Sequence, residues 1–512
     1  MGRSHLNLGS YLLAVQQVQR RLEHRVPKAG NTRSGKTASM PLYDAPDDLT
    51  EMESINPATG EQIESYDEHT ESDIDDALDR ASETFEEWRE TSFAHRQTLM
   101  ENAADVLREN EEKYASLMTE EMGKPIEQAR SEVEKCAWGC EYYAETAEEH
   151  LQDEVIGTQS DASAFVSYEP LGPVLAVMPW NFPFWQVFRF VAPNLCAGNV
   201  GLLKHASNVP GCALAIEEVL EEAGFPEGAF TTLLAGSDKM NDVIDDRRVK
   251  AVTLTGSEPA GRAVAKRAGE NLKKTVLELG GSDPFVVLDD AHVAETAEKA
   301  AQGRLQNSGQ SCIAAKRFIV HTDVYDEFVE KFVEEMDSWT VGDPSAEDTQ
   351  VGPQAREDLL EDLHEQVEGT IDAGAECRLG GEPLDREGAF YPPTVLVDVP
   401  TDAPAATEET FGPAAAVFEV DSEEEALELA NDTSFGLGAS VWTSDLERGE
   451  QFARGFEAGC CFVNEVVKSD PRVPFGGIED SGYGRELSEH GIREFVNRKT
   501  VWVQHGLGGD VE

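Results

Sequence analysis

The chain has 512 residues, 40% of them hydrophobic, and its 99 Asp and Glu against 42 Lys and Arg give a formal net charge of −57. That length exceeds one small core and implies two or three domains, with no apolar run long enough for a membrane helix. So negative a field argues against nucleic acid and anionic membranes as partners; spread along the whole chain, it reads as adaptation to a salt-rich cytosol of the halophilic archaeal kind.

The N-terminal stretch stands apart. Over residues 1–40, Arg3, Arg20, Arg21, Arg25, Lys28, Arg33 and Lys36 face one acid, Glu23, and Val15, Val18, Leu22 and Val26 are spaced as a helical stripe. A basic, acid-poor N-terminus can be a targeting segment. In so acidic a chain the preferred expectation for 1–45 is a disordered, dispensable extension, with Met40 as an alternative start of the natural protein. Residues 54–60 are turn-rich, and helices with acidic outer faces are predicted over 74–91, 93–122 and 126–150.

From about 160 the apolar pattern shortens. Strands are predicted at 164–168, 174–178, 199–204, 229–235, 251–255 and 275–279, with helices at 210–220 and 259–269. Such alternation implies an α/β fold with a doubly wound parallel sheet, binding ligands at the carboxyl ends of its strands. A second alternating region runs from 285 to about 480, a last strand is expected at 500–503, and 506–512 reads as a loose end.

The stretch from Leu277-Glu278-Leu279-Gly280-Gly281 to Gly309-Gln310-Ser311-Cys312 sets a carboxylate and a thiol 34 positions apart, each beside glycine. A cysteine that attacks carbonyl carbon works as the thiolate. It also needs a base, for its own proton or for the water that releases product. The bland alternative, a small buried hydrophobe, is commoner for any single cysteine. Pro179-Trp180-Asn181-Phe182-Pro183 follows a predicted buried strand. There the Asn181 amide, with a backbone N–H near the thiol, would suit a developing oxyanion. Lys204 ends the next strand and Ser207 follows, placed for ribose hydroxyls or a phosphate. Thr255-Gly256-Ser257 joins strand to helix, where free N–H groups bind phosphate, although GxGxxG is absent. Glu408-Glu409-Thr410-Phe411-Gly412-Pro413 sets a carboxylate and a ring before a turn. The eight cysteines make no CxxC pair and no zinc spacing with histidine, so a reducing, cytoplasmic setting without a metal is expected.

In their order, the motifs at 179–183, 204, 256–257, 277–281, 309–312 and 408–413 resemble those of the aldehyde dehydrogenase superfamily, over about residues 50 to 505. The resemblance implies an NAD(P)-dependent enzyme in three parts. A cofactor-binding domain would take 46–150 and 171–281, and a second α/β domain, the catalytic one, 282–485. A small β element at 151–170 and 486–507 would build a homodimer or homotetramer. By the same resemblance Cys312 attacks an aldehyde, Asn181 and the Cys312 N–H hold the oxyanion, and Glu278 activates water to hydrolyse a thioester. Trp180, Lys204, Ser207, Gly256, Ser257, Leu279, Glu409 and Phe411 fall at cofactor contacts, and Glu486 at a carboxylate that relays protons.

Within the superfamily, Lys204-His205-Ala206 and the run 277–285 are most similar to a bacterial and cyanobacterial branch of succinate-semialdehyde dehydrogenases. The implied substrate carries a remote carboxylate, for which the resemblance offers Arg189, eight residues after Asn181, together with Ser469 and Arg472. Many such enzymes have another arginine six residues before the nucleophile; here that residue is Gln306. NAD-preferring relatives often carry glutamate where Ser207 stands, so NADP is expected, with NAD as the second possibility. A general dehydrogenase for another small aldehyde and a non-catalytic binding relative are the alternatives.

Overall fold

The computed structural model describes residues 51–159 and 161–505. The basic extension, the alternative start at Met40 and the loose end at 506–512 lie outside these residues.

Two sheets set the frame. The first orders its strands Gly482–Tyr483, Lys274–Glu278, Ala251–Thr255, Pro173–Met178, Val200–His205, Phe230–Thr232. All pair in parallel except Gly482–Tyr483, which runs antiparallel beside Lys274–Glu278. The chain moves outward from Pro173–Met178 and then returns to its other side. The switch point therefore lies between Pro173–Met178 and Ala251–Thr255, where a crevice opens at the carboxyl ends. The second sheet orders Glu376–Leu379, Thr394–Val397, Ala414–Val420, Arg317–His321, Pro284–Val287, Gly438–Trp442, Cys460–Val463, parallel but for the first. Phe285 and Val287 enter one core while Val286 and Leu288 enter another, as a period of two dictates for a sheet buried on both faces. A third, antiparallel sheet joins Val496–Gln504, Ala162–Pro170 and Glu154–Ile156.

The α/β class and the doubly wound sheet are as expected; some elements differ. The single helix expected over 93–122 is two, Phe93–Glu109 and Glu111–Met122. Asn110 divides them, turning its amide back onto the Val106 carbonyl at 3.0 Å. The strand expected at 229–235 shrinks to Phe230–Thr232. Around the turn at 54–60, Glu51–Ile55 and Gln62–Asp67 pair antiparallel. Helix Trp185–Ala197 is buried at every position, so it shows no amphipathic period to a reader of the sequence.

Two buried carboxylates hold helix starts in the first half. Glu121 accepts from the N–H groups of Gly211 and Cys212, at 2.9 and 2.8 Å, where Pro210–Glu222 begins. Glu132, on helix Ile126–His150, accepts from the Phe184 and Trp185 N–H groups, both at 2.9 Å, where Trp185–Ala197 begins. It also pairs with the buried Lys124 ammonium. Each carboxylate meets the positive end of a helix and satisfies N–H groups that no helix turn can reach. Glu132→Ala would strand the Lys124 charge, so stability is expected to fall by about 3–5 kcal/mol, read as an earlier denaturation midpoint in molar KCl. Glu134→Ala, whose side chain is 52% exposed opposite Arg108, is expected to cost less than about 1 kcal/mol. Equal midpoints for the two variants would contradict this assignment.

Candidate active site

Cys312 stands just ahead of strand Arg317–His321, after a turn in which Asn307, Ser308 and Gly309 have φ of 54°, 57° and 75°. The turn is held from several sides. Buried Arg304 donates to the Gly309 carbonyl at 2.6 Å and to the Ala315 carbonyl at 2.9 Å. Asn307 donates to the Asn181 carbonyl at 2.7 Å. The Lys316 ammonium donates to the carbonyls of Ser311, Cys312 and Ala314 at 3.1, 2.7 and 3.1 Å. Glycine is required at 281, because a Cβ there would lie 2.9 Å from the Cys312 carbonyl oxygen. Glu409 accepts from the Gly281 N–H at 3.0 Å and lies 3.6 Å from the Lys316 ammonium. The glutamate, cysteine and Glu409 motifs thus meet, at the amino ends of strands in the second sheet.

Asn181 arrives from the carboxyl end of Pro173–Met178 in the first sheet. It is buried, and its Nδ2 donates to the Gln310 carbonyl at 3.2 Å, two residues before Cys312. One amide hydrogen remains, and the Cys312 N–H donates to no other described residue. Both donors expected for an oxyanion are therefore free. His205 steadies this loop: its Nδ1 accepts from the Ala206 N–H at 2.9 Å, so its Nε2 donates to the Pro183 carbonyl, also at 2.9 Å.

Glu278 ends strand Lys274–Glu278, buried against Gly476 with neither carboxyl oxygen hydrogen-bonded to a described residue. Burial lifts its pKa well above the usual carboxylate range; Glu486 adds to the lift and Arg189 opposes it. Burial raises Glu486 as well, but its ion pair with Arg189 pulls it back toward the carboxylate, a partner Glu278 lacks. Burial likewise pushes the Cys312 thiol up to about 12, with Lys316 pulling the other way. Burial thus favours the neutral form of both groups in the resting protein.

The residues expected at a cofactor surround the switch point. Trp180 and Phe411 pack edge to face with ring centres 5.7 Å apart, and Leu279 fills the space over Gly261. Lys204 is buried, its ammonium bonded to the His205 carbonyl at 2.7 Å, with no carboxylate of the described residues at ion-pair distance. Burial lowers its pKa to about 8. A buried cation without an acid wants an anion. Ser207 stands exposed beside it. Ser257 precedes helix Glu258–Glu270 without a side-chain capping bond, and a Cβ on Gly256 would meet nothing closer than Leu254 at 3.6 Å. The helix start is thus open to a phosphate, and the set fits a phosphate-bearing dinucleotide.

The three expected carboxylate anchors part company. Ser469 is buried and accepts from the Lys135 ammonium at 2.8 Å and the Trp185 indole at 3.0 Å. Arg189 is buried too, but already held by Glu486 and lying over the Phe475 ring. Arg472 is not brought to the site: its side chain is 67% exposed and paired with Asp470 at 2.6 Å. Lys316 and Lys135 escape a reading of the sequence. The available signal for Lys316 is a charge at the threshold of an apolar strand; Lys135 sits among acids on a helix and gives none.

A thiol raised by burial predicts its own reactivity. Alkylation of Cys312 by iodoacetamide, followed by peptide mapping, is expected to speed up about tenfold per pH unit from about pH 7 to 10, because only the thiolate reacts. A plateau below about pH 9 would mean a thiol already ionised and would contradict the burial effect.

The geometry agrees with three comparisons. A family model, the aldehyde dehydrogenase family, matches residues 43–501. A Synechocystis sp. protein named probable succinate-semialdehyde dehydrogenase (NADP+) is 56% identical over 449 residues, 88% of this chain and 99% of that one. A Mycobacterium tuberculosis protein named succinate-semialdehyde dehydrogenase (NADP+) 1 is 52% identical over 451 residues, with the same 88% and 99% coverage. Among solved structures, succinic semialdehyde dehydrogenase from Streptococcus pyogenes, in complex with NADP+, superposes with a TM-score of 0.87 at 40% identity, covering 89% of this chain and all of that one. The chain belongs to the aldehyde dehydrogenase family.

Proposed function

We propose that this chain oxidises succinate semialdehyde to succinate with NADP+, with Cys312 as nucleophile and Glu278 as base. The observation that carries the reading is the near-full-length likeness to relatives named for that activity. Buried cations close to the nucleophile support it.

The Cys312 proton passes to water, with the Lys316 charge favouring the thiolate left behind, and the sulfur bonds the aldehyde carbon as the C=O electron pair moves onto oxygen. The free hydrogen of Asn181 Nδ2 and the Cys312 N–H receive the oxyanion. When bound, the nicotinamide supplies a hydride acceptor. A thioester is left on Cys312, and Glu278, once its own proton has passed to solvent, takes a proton from the water that hydrolyses it. Glu486, tied to Arg189, is the next carboxyl along which that proton leaves. Glu409 is suited to a ribose diol, and Phe411 with Trp180 to the nicotinamide side. Lys204 beside the short Ser207 leaves a cation and room for a 2′-phosphate, which a glutamate at 207 would repel.

In this reading residues 46–150 and 171–281 bind the cofactor and 282–485 carry the catalytic cysteine. The third sheet joins subunits into a homodimer or homotetramer. Val155, Trp502 and Val503 leave apolar side chains exposed on its edge strands, a surface suited to a second copy. Free cysteines and a charge of −57 support a reducing, salt-rich cytoplasm.

Steady-state oxidation of succinate semialdehyde, glutarate semialdehyde, butanal and glyceraldehyde, with each cofactor in molar KCl, tests the proposal. The expected kcat/KM for succinate semialdehyde exceeds that for butanal by about 30-fold, the worth of one good charge-assisted contact, and NADP+ outperforms NAD+. A flat profile would reduce the substrate to a general small aldehyde, and better turnover with NAD+ would overturn the cofactor.

A further inference from the structure

A side-chain amide turns easily about its last bond, so a free hydrogen is useful only while the amide is held at one angle. One hydrogen of Asn181 Nδ2 rests on the Gln310 carbonyl at 3.2 Å, and Asn181 Oδ1 meets no partner among the described residues. A single contact of that length holds the amide loosely. The rest of the restraint comes from Asn307. Its Nδ2 donates to the Asn181 carbonyl at 2.7 Å and to the Gln310 carbonyl at 2.9 Å. A primary amide has two hydrogens, so both are spent. Asn307 thus grips the Asn181 backbone and also the carbonyl on which the Asn181 amide rests. The three residues close a ring, and all three are buried.

A second layer of contacts holds the ring. The Gln310 N–H donates to the Asn307 carbonyl at 3.0 Å. The Gln310 side chain donates to the Pro353 carbonyl at 3.2 Å and accepts from the Ala355 N–H at 2.8 Å, so it is fixed at both ends of its amide. Gln128, on helix Ile126–His150, accepts from the Asn307 N–H at 2.6 Å. Asn307 has φ 54° and ψ 36°, the left-handed region, which asparagine tolerates better than most residues with a side chain. Position 307 therefore makes two demands, a left-handed backbone and two side-chain hydrogens. Asparagine meets both; glycine meets only the first.

We propose that Asn307 is a positioning residue for the oxyanion donor: its amide, spanning the Asn181 and Gln310 carbonyls, fixes the Asn181 amide with one hydrogen left for the aldehyde oxygen. This rests on the mechanism above, in which Asn181 and the Cys312 N–H receive the oxyanion. Asn181 comes from the carboxyl end of Pro173–Met178 in the first sheet, and Cys312 stands ahead of Arg317–His321 in the second. The two donors belong to different sheets, and Asn307 is the side chain that sets one against the other.

The test is a double-mutant cycle in the intact enzyme, with NADP+ in molar KCl, over the wild type, Asn307→Gly, Asn181→Ala and the double variant. Asn307→Gly keeps the left-handed backbone and removes the amide. Its kcat/KM for succinate semialdehyde is expected to fall about 30-fold, within the cost of a displaced catalytic group. The same factor is expected for butanal, since every aldehyde forms this oxyanion. In the Asn181→Ala background the change is expected to cost less than about twofold, because the group it positions is gone. Alkylation of Cys312 by iodoacetamide displaces iodide and builds no oxyanion, so its rate is expected to match the wild type. An equal loss in both backgrounds, a loss confined to one aldehyde, or an unchanged kcat/KM would each overturn the proposal. So would a parallel loss of alkylation, which would mean that the cysteine turn itself has come apart. Full activity in Asn181→Ala would overturn the oxyanion assignment, and this proposal with it. Should Asn307→Gly fail to fold, Asn307→Asp, equal in shape and tolerant of the same backbone, carries the same comparisons. A loss of about tenfold is expected there, because a carboxyl has at most one hydrogen for two carbonyls, and the same outcomes would overturn the proposal.

Discussion

The buried ammonium of Lys316 is the interaction on which the active centre depends. A turn with three successive residues at positive φ has no helix or ladder to satisfy its carbonyls, and buried carbonyls need partners. Arg304 supplies one for Gly309, and Lys316 supplies them for Ser311, Cys312 and Ala314 in the segment that follows. Its own N–H reaches the Asp283 carbonyl at 3.0 Å, tying the cysteine turn to the start of strand Pro284–Val287. Glu409 lies on its other side. One side chain therefore fixes where the Cys312 backbone sits, leaves a positive charge beside the thiol, and links it to the Glu409 carboxylate. The glycines at 280 and 281 are the counterpart, because only a backbone without Cβ lets Glu409 and the cysteine turn come this close.

Charge is distributed unevenly between the surface and this interior. The chain has far fewer cations than acids, yet Lys135, Lys204, Arg189, Arg304 and Lys316 are gathered inside, near the strand ends that carry the chemistry. The surface acids sit in water, where molar salt screens them over about 3 Å. A phosphate-bearing cofactor thus approaches a protein of its own sign and meets a buried cation, Lys204, in the crevice. The same dry interior raises the proton affinity of Cys312 and Glu278. The fixed cations oppose this: Lys316 favours the Cys312 thiolate and Arg189 the Glu278 carboxylate.

The parts legible in the sequence were those with a local pattern. Short apolar runs gave the parallel strands, because strands covered on both faces are apolar throughout. The motifs around Asn181, Glu278, Cys312 and Glu409 stood out because glycine and proline punctuate them. Helix Trp185–Ala197 was invisible for the opposite reason: buried all round, it has no period. Arg189 and Arg472 show the limit for single charges. Both looked like free cations, and the structure pairs one with Glu486 inside and the other with Asp470 at the surface. Lys135 looked like a surface residue of an acidic helix until Ser469, 334 positions away, came beside it. The Arg189–Glu486 pair and the Lys135–Ser469 contact join distant segments and are properties of the fold, so no window of sequence contains both partners.

The most direct measurement is a single-turnover experiment on Glu278→Gln, mixed with succinate semialdehyde and NADP+ and quenched for peptide mapping. If Cys312 forms the thioester and Glu278 drives its hydrolysis, NADPH appears once per subunit and then stalls, with a succinyl group on the peptide that contains Cys312. Sustained turnover by Glu278→Gln, or an acyl group found elsewhere than on Cys312, would contradict the mechanism at its centre.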